Sequence, residues 1–175
     1  HRMSIEAIVG AQKIGGKIVA LVIGKDHEDV ANKLLEYEIE KTVVVDHELV
    51  QAYNADGYKE IIIQVFDFVE PKFIIAGHTY QSRDFMPRIS AALGIPLIAD
   101  LIEVENDKYV KQVMNSKLNA SITSNQDKAI LTFQSASFSE ENIKEGSNPL
   151  EKFEVTLEPS SIKSKAEDPF QESSS

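Results

Sequence analysis

Through its first 105 residues the chain alternates short apolar runs with amphipathic stretches. "SIEAIVGAQKIGG" (4–16) sets Ile5, Ile8 and Val9 at helical spacing, with Ser4 as a cap and Gly15-Gly16 as a stop. "KIVALVIG" (17–24) and "KTVVVDH" (41–47) are near-continuous apolar runs, the mark of strands buried on both faces. Between them, residues 28–36 predict a short helix with Val30 and Leu34 on one side. From Leu49 to Glu70 the pattern predicts a longer helix carrying Ile62, Val65, Phe66 and Val69, weakened at Gly57 and ended by Pro71. "KFIIAG" (72–77) is a third strand, and Ser82–Leu93 a helix with Pro87 in or near its first turn. Gly94 and Pro96 close that helix, and "LIADLIEVE" (97–105) is a fourth strand. Helices and strands that alternate in this way imply a parallel sheet with helices on both faces.

After Glu105 the pattern changes. "YVKQVMNSKLNASITS" and "KAILTFQSASF" flank Asn125-Gln126-Asp127, which predicts a hairpin, and "FEVTLEP" follows. Residues 109–135 are therefore expected as an antiparallel extension. Residues 4–158 make one α/β domain, and the Ser-rich stretch 159–175, poor in apolar anchors, is expected as a linker or tail.

Composition narrows the function. The chain has 175 residues, 42% of them apolar, enough for one ordinary core. A net charge of −10 argues against nucleic acid or an anionic membrane as partner. No apolar run is long enough to cross a bilayer and no signal-peptide pattern opens the chain, so no membrane insertion is expected. Cysteine is absent, which excludes disulfides, thiolate catalysis and Cys-ligated metals.

The loop between Gly77 and Arg83 draws the most chemical interest. It follows a parallel strand, where open α/β sheets place ligands. Thr79 and Ser82 hydroxyls, the Arg83 guanidinium and helix N-terminal amides are candidates to face a phosphate. Against this, no GxGxxG or Walker pattern is present and no second glycine lets the backbone approach, so capping by Ser82 is the plainer reading. Asp46-His47-Glu48 has metal-ligand residue types but no converging partners at a known spacing, so Asp46 or His47 is expected to cap the next helix and no metal is expected. His78 lacks a serine elbow or paired carboxylate nearby, and no catalytic residue is assigned. Arg88, on an otherwise apolar helix, is expected to pair with a carboxylate such as Asp100; a buried pair broken on one side would cost about 3–5 kcal/mol.

Taken together, "SIEAIVGAQKIGGKIVALVIG", "KTVVVDH", "FIIAGHTYQSRDFMPRISAALGIPLIADLIEVE" and "KAILTFQSASF" resemble the N-terminal domain of the electron transfer flavoprotein alpha subunit. Gly77, Arg83, Asp84, Phe85, Pro87, Arg88, Ala91, Ala92, Leu93, Pro96 and Asp100 fall on that family's central pattern, and the resemblance spans about residues 4–160. It implies a nucleotide-binding-type (adenine nucleotide alpha hydrolase-like) fold that serves as a scaffold. It also implies a beta-subunit partner, and FAD held by a separate C-terminal domain that this chain does not include. The complete carrier would take electrons from flavoprotein dehydrogenases, such as those of fatty-acid β-oxidation, in a bacterial cytoplasm or mitochondrial matrix. On this reading the fragment is not an enzyme and binds no FAD by itself. Three departures stand out: no strand precedes the first helix, Ser116-Lys117 replaces a usual Gly-Asn, and Gln134 stands where Arg is common. The competing reading is a stand-alone adenine-nucleotide module of the universal-stress-protein type, which needs a glycine-rich triphosphate loop. A cryptic enzyme would rest on His78 and Asp100 alone.

Overall fold

The computed structural model describes residues 2–25, 27–105 and 107–164. Helix α1 (Arg2–Ile14) starts ahead of Ser4, which lies inside it rather than capping it. Gly15 and Gly16, at φ 87° and 93°, end it as expected. Strand β1 (Val19–Gly24), helix α2 (Glu28–Leu34) and strand β2 (Lys41–Asp46) follow. On α2 it is Ala31 that is buried, while Val30 is half-exposed.

The long helix expected from Leu49 is broken. A 3₁₀ turn covers Glu48–Val50, and α3 (Ala55–Val69) starts only after Asn54, whose Oδ1 accepts the Gly57 N–H at 2.7 Å. Gly57 therefore lies in the first turn of α3, where a Cβ would sit 2.7 Å from Val50 Cγ1 and 2.8 Å from Asn54 Oδ1. Glu70 takes a left-handed conformation (φ 50°) before Pro71 and closes the helix.

Strand β3 (Phe73–Gly77) leads into α4 (Tyr80–Leu93), which begins two residues before Ser82. Pro87 is consequently interior to the helix rather than in its first turn. Strand β4 (Leu97–Glu105) is interrupted by a bulge at Asp100 (φ 64°). Strands β5 (Lys108–Val113) and β6 (Leu118–Ile122) form an antiparallel hairpin that turns at residues 114–117, not at Asn125-Gln126-Asp127 where the sequence predicts one. Met114, Asn115 and Ser116 at its tip are all left-handed, Ser116 at φ 62°, which is why a glycine suits that place.

Strand β7 (Ala129–Phe133) corrects the sequence reading. It does not pair with β6 but runs parallel to both β3 and β4, between them. All five of its residues are buried, as a strand covered on both faces must be. Strand β8 (Leu150–Lys152) is also parallel, on the outer edge of β2. The antiparallel extension is thus limited to β5 and β6, joined to the end of β4.

Two sheets result, β1-β2-β8 and β3-β7-β4-β5-β6, with β1 and β3 each at an edge. The same helices cover both edges. Ile62 of α3 and Phe85, Met86 and Ile89 of α4 share one apolar cluster with Leu21 and Ile23 of β1 and with Ile74 and Ala76 of β3. Four of the five β3 residues, and four of the six in β1, are only partly buried, although nearly all are apolar. On the opposite face α1 packs through Ala7 and Val9 onto Leu101, Leu131 and Phe133. Gly10 permits that approach, since a Cβ there would lie 2.3 Å from Phe133 Cε2.

Candidate functional site

The carboxyl ends of β3, β7 and β4 gather the loop 77–83, His78, Thr132 and Asp100 into one neighbourhood. Gly77 explains itself through packing. A Cβ at this position would come within 2.8 Å of Met3 Cβ and 3.0 Å of the Met3 carbonyl oxygen, so the glycine admits the first turn of α1 rather than a ligand.

The hydroxyls that were candidate phosphate donors face inward. Thr79, not Ser82, is the N-cap of α4: its Oγ1 accepts the Ser82 N–H at 3.1 Å, and Ser82 Oγ accepts the Thr79 N–H at 2.8 Å. Ser82 also donates to the Gly77 carbonyl at 2.7 Å and is 3% exposed. This reciprocal box satisfies two of the helix's orphan donors. Arg83 is exposed and lies 5.8 Å over the ring of Tyr80, itself 89% exposed. A pyrophosphate needs free donors and a close backbone approach. With Thr79 and Ser82 engaged and the space at Gly77 filled by Met3, the residues of this loop do not fit that group.

The structure does bring His78 and Asp100 together, through Thr132. Thr132 is 2% exposed; its Oγ1 lies 2.9 Å from His78 Nδ1 and accepts the Asp100 N–H at 3.1 Å. The His78 N–H donates to the Phe133 carbonyl at 2.7 Å. A threonine hydroxyl so buried is out of reach of a soluble substrate, and here it ties the bulge of β4 to β3 across β7. Burial pushes the His78 pKa below its ordinary 6.5, aided by Arg83 and Lys111 and opposed by Asp100. A histidine that stays neutral when folded binds fewer protons than in the unfolded chain, so stability should fall as pH drops below 6.5 and through the folded pKa. Urea midpoints at about pH 7 and pH 5 should therefore differ less for His78→Asn than for the parent chain. An equal drop in both would refute the assignment.

Of the other candidates, His47 caps the 3₁₀ turn, its Nδ1 accepting the Leu49 N–H at 3.1 Å. Glu48 pairs instead with Lys25 at 3.2 Å. Among the described residues no group of three His, Cys, Asp or Glu is placed to hold a metal. His1 lies outside the described residues.

Arg88 does form ion pairs, but not with Asp100. It reaches Asp56 of α3 at 3.4 Å and Asp84 of its own helix at 3.2 Å. Asp84 in turn accepts the Tyr53 hydroxyl at 2.8 Å, and burial followed by this bond pushes the Tyr53 pKa up. Because the Arg88 side chain is 46% exposed, the fully buried figure does not apply. Arg88→Ala is expected to cost about 1 kcal/mol in a denaturant titration. A loss several times larger would mean the pairs are far better shielded than their exposure indicates.

Two clefts, of about 420 Å³ between Pro96–Ala99 and Ile122–Gln126 and about 330 Å³ around Gly24, His27, Asp46 and Lys152, do not include residues 77–83. No helix among the described residues is long and apolar enough to cross a membrane.

Comparison with known proteins agrees with this layout. The electron transfer flavoprotein domain model matches residues 1–158. The chain belongs to the electron transfer flavoprotein domain family. It is 29% identical over 106 residues to an electron transfer flavoprotein alpha subunit of Bacillus subtilis (strain 168), covering 59% of this chain and 33% of that protein. The alpha subunit of Clostridium acetobutylicum is 33% identical over 100 residues, 55% of this chain and 30% of that protein. Protein FixB of Clostridium saccharobutylicum is 28% identical over 162 residues, 89% of this chain and 48% of that protein. The chain thus spans less than half the length of these relatives.

Proposed function

We propose that this chain is the scaffolding, partner-binding N-terminal domain of an electron transfer flavoprotein alpha subunit. It pairs with a beta subunit in a carrier whose FAD is held by a further domain. The carrier moves electrons from flavoprotein dehydrogenases, including those of fatty-acid β-oxidation, to an acceptor, in a bacterial cytoplasm or a mitochondrial matrix. Residues 4–158 form the domain. The observation that carries this reading is the family match over residues 1–158 on a sheet whose phosphate-type loop is closed on itself. The β5–β6 hairpin adds support, since Met114 and Leu118 at its tip are 71% and 60% exposed and offer an apolar projection to a partner.

The test is to mix the purified chain with the beta subunit of the same organism and to titrate the chain alone with FAD and AMP. An equimolar complex, weakened by Met114→Asp, is expected, with no saturable change in flavin fluorescence from the chain alone. Low-micromolar FAD quenching lost on changing Thr79, Ser82 or Arg83, with no complex, would overturn the scaffold reading in favour of a nucleotide-binding module.

A further inference from the structure

The stretch after β8 follows α3 backwards along its whole length. Phe153 stacks on Phe68 near the end of the helix, with ring centroids 4.9 Å apart. One helical turn earlier, Gln64 exchanges two bonds with the Thr156 backbone, at 2.9 and 3.0 Å. Leu157 then enters the cluster of Ile61 and Val65. After a 3₁₀ turn at Pro159–Ser161, the Ile162 Cδ1 atom comes to 3.4 Å from where a Gly57 Cβ would be. The strap ends on one carboxylate. Asp56 Oδ2 accepts the Lys163 N–H, the Ser164 N–H and the Ser164 hydroxyl, each at 2.9 Å.

The residues most readily taken for a free linker, 159–164, are therefore bound to the domain. Asp56 is 8% exposed, and its second oxygen is steadied by Arg88 at 3.4 Å. Burial raises the Asp56 pKa, but the Ser164 hydroxyl, the two strap amides and Arg88 together outweigh it and hold the carboxyl below its ordinary range. Tyr53 and Arg88 both fix Asp84 beside the helix start.

We propose that Asp56 is an anchoring residue that clamps residues 163–164 to the start of α3, so that the chain stays on this domain as far as Ser164 instead of parting from it near residue 158. Because α3 follows β2, Ser164 lies at the carboxyl edge of the parallel strands, the edge that also carries loop 77–83. A domain attached beyond Ser164 is delivered to that edge. This last consequence rests on the proposed carrier role, whereas the clamp itself does not.

Trypsin reads the clamp directly, because it can cut the Lys163–Ser164 bond only when that segment leaves the domain surface. Cleavage there tracks the population of the locally opened form. In the intact chain, followed by mass spectrometry, Asp56→Asn is expected to speed this cut about tenfold, while cleavage at Lys41–Thr42 in the central strand β2, where Thr42 is fully buried and cutting needs global opening, stays unchanged. Ser164→Ala removes one of the three bonds from the strap side, without touching the helix, and should speed the same cut about threefold. Equal cutting rates at Lys163 in the parent chain, Asp56→Asn and Ser164→Ala would overturn the proposal. So would a parent chain cut there as fast as a free peptide of the same sequence. The assay involves neither FAD nor a partner, so its failure would leave the carrier reading standing, and failure of the beta-subunit experiment would leave the clamp standing.

Discussion

A strand of about five apolar residues, fused ahead of Arg2 through a short loop, is expected to raise the melting temperature by roughly 6–12 °C. β1 and β3 are both edges, both parallel to their neighbours, and both covered by α3 and α4. A strand lying between them would complete two ladders and cover the partly buried side chains of Leu21, Ile23, Ile74 and Ile75. The polarity fits. Met3, in the first turn of α1, sits at the carboxyl end of β3, where a parallel strand entering α1 would finish. Burying one Val or Ile contributes about 1.5–3 kcal/mol before ordering costs, so a net gain on the order of 3 kcal/mol is reasonable for such a strand. The control is the same fusion with proline at its centre, which removes a ladder donor and should abolish the gain. Equal melting temperatures for the two fusions would show that the space between the sheets does not accept a strand. Amide exchange should report the same event locally, as new protection along β1 and β3.

Replacing Glu6 by alanine should lower the melting temperature by roughly 4–12 °C, a loss on the order of 2–3 kcal/mol. Glu6 lies on the sheet-facing side of α1 at 1% exposure. One carboxylate oxygen accepts Arg2 Nε at 2.8 Å, and the other accepts the Ala136 N–H at 2.8 Å. Ala136 is left-handed (φ 66°), in the turn that carries the chain from β7 to Phe138, and Phe138 packs on Phe133 at 4.6 Å. Without the carboxylate, the Ala136 amide loses its acceptor and this turn loses its tie to α1. Arg2 contributes less to the loss, because its side chain is 61% exposed and can return to water. Glu6→Gln keeps an acceptor for Ala136 and should recover about half the loss. If Glu6→Ala melted with the parent chain, the carboxylate would have no structural role.

Neither site was visible along the chain, and the reason is common to both. Glu6 interrupts the Ile5, Ile8, Val9 pattern as an ordinary polar position would, and its partner Ala136 is 130 residues away. Asp56 reads as the acidic first-turn residue that any helix favours, yet its partners are 107 and 108 residues on. The sequence shows that Arg88 needs a carboxylate but not which one: it pairs with Asp56 and Asp84, and not with Asp100. Helix periodicity states which side of α4 a residue occupies; it does not state that α3 lies alongside. The capping role at loop 77–83 was legible, though the cap is Thr79 and Ser82 is its reciprocal partner three residues later. Sequence spacing fits either assignment, and only the backbone angles at Thr79 separate them.

Local signals alone determined the alternation of helices and strands, because apolar runs, amphipathic periods and stops such as Gly15-Gly16, Pro71 and Gly94 act within a few residues of one another. They also carry the family resemblance, most densely in the run from Gly77 to Asp100. The tertiary structure decided where β7 goes. "AILTF" bears the continuous apolar character of a strand covered on both faces, but a run of five residues cannot name its neighbours. Its place between β3 and β4 follows from α1 on one face and α4 on the other, whose apolar sides are both satisfied only by a strand at that position. The parallel order, the strap along α3 and the edge positions of β1 and β3 have the same origin: each is a choice among distant partners, made by packing once the local elements exist.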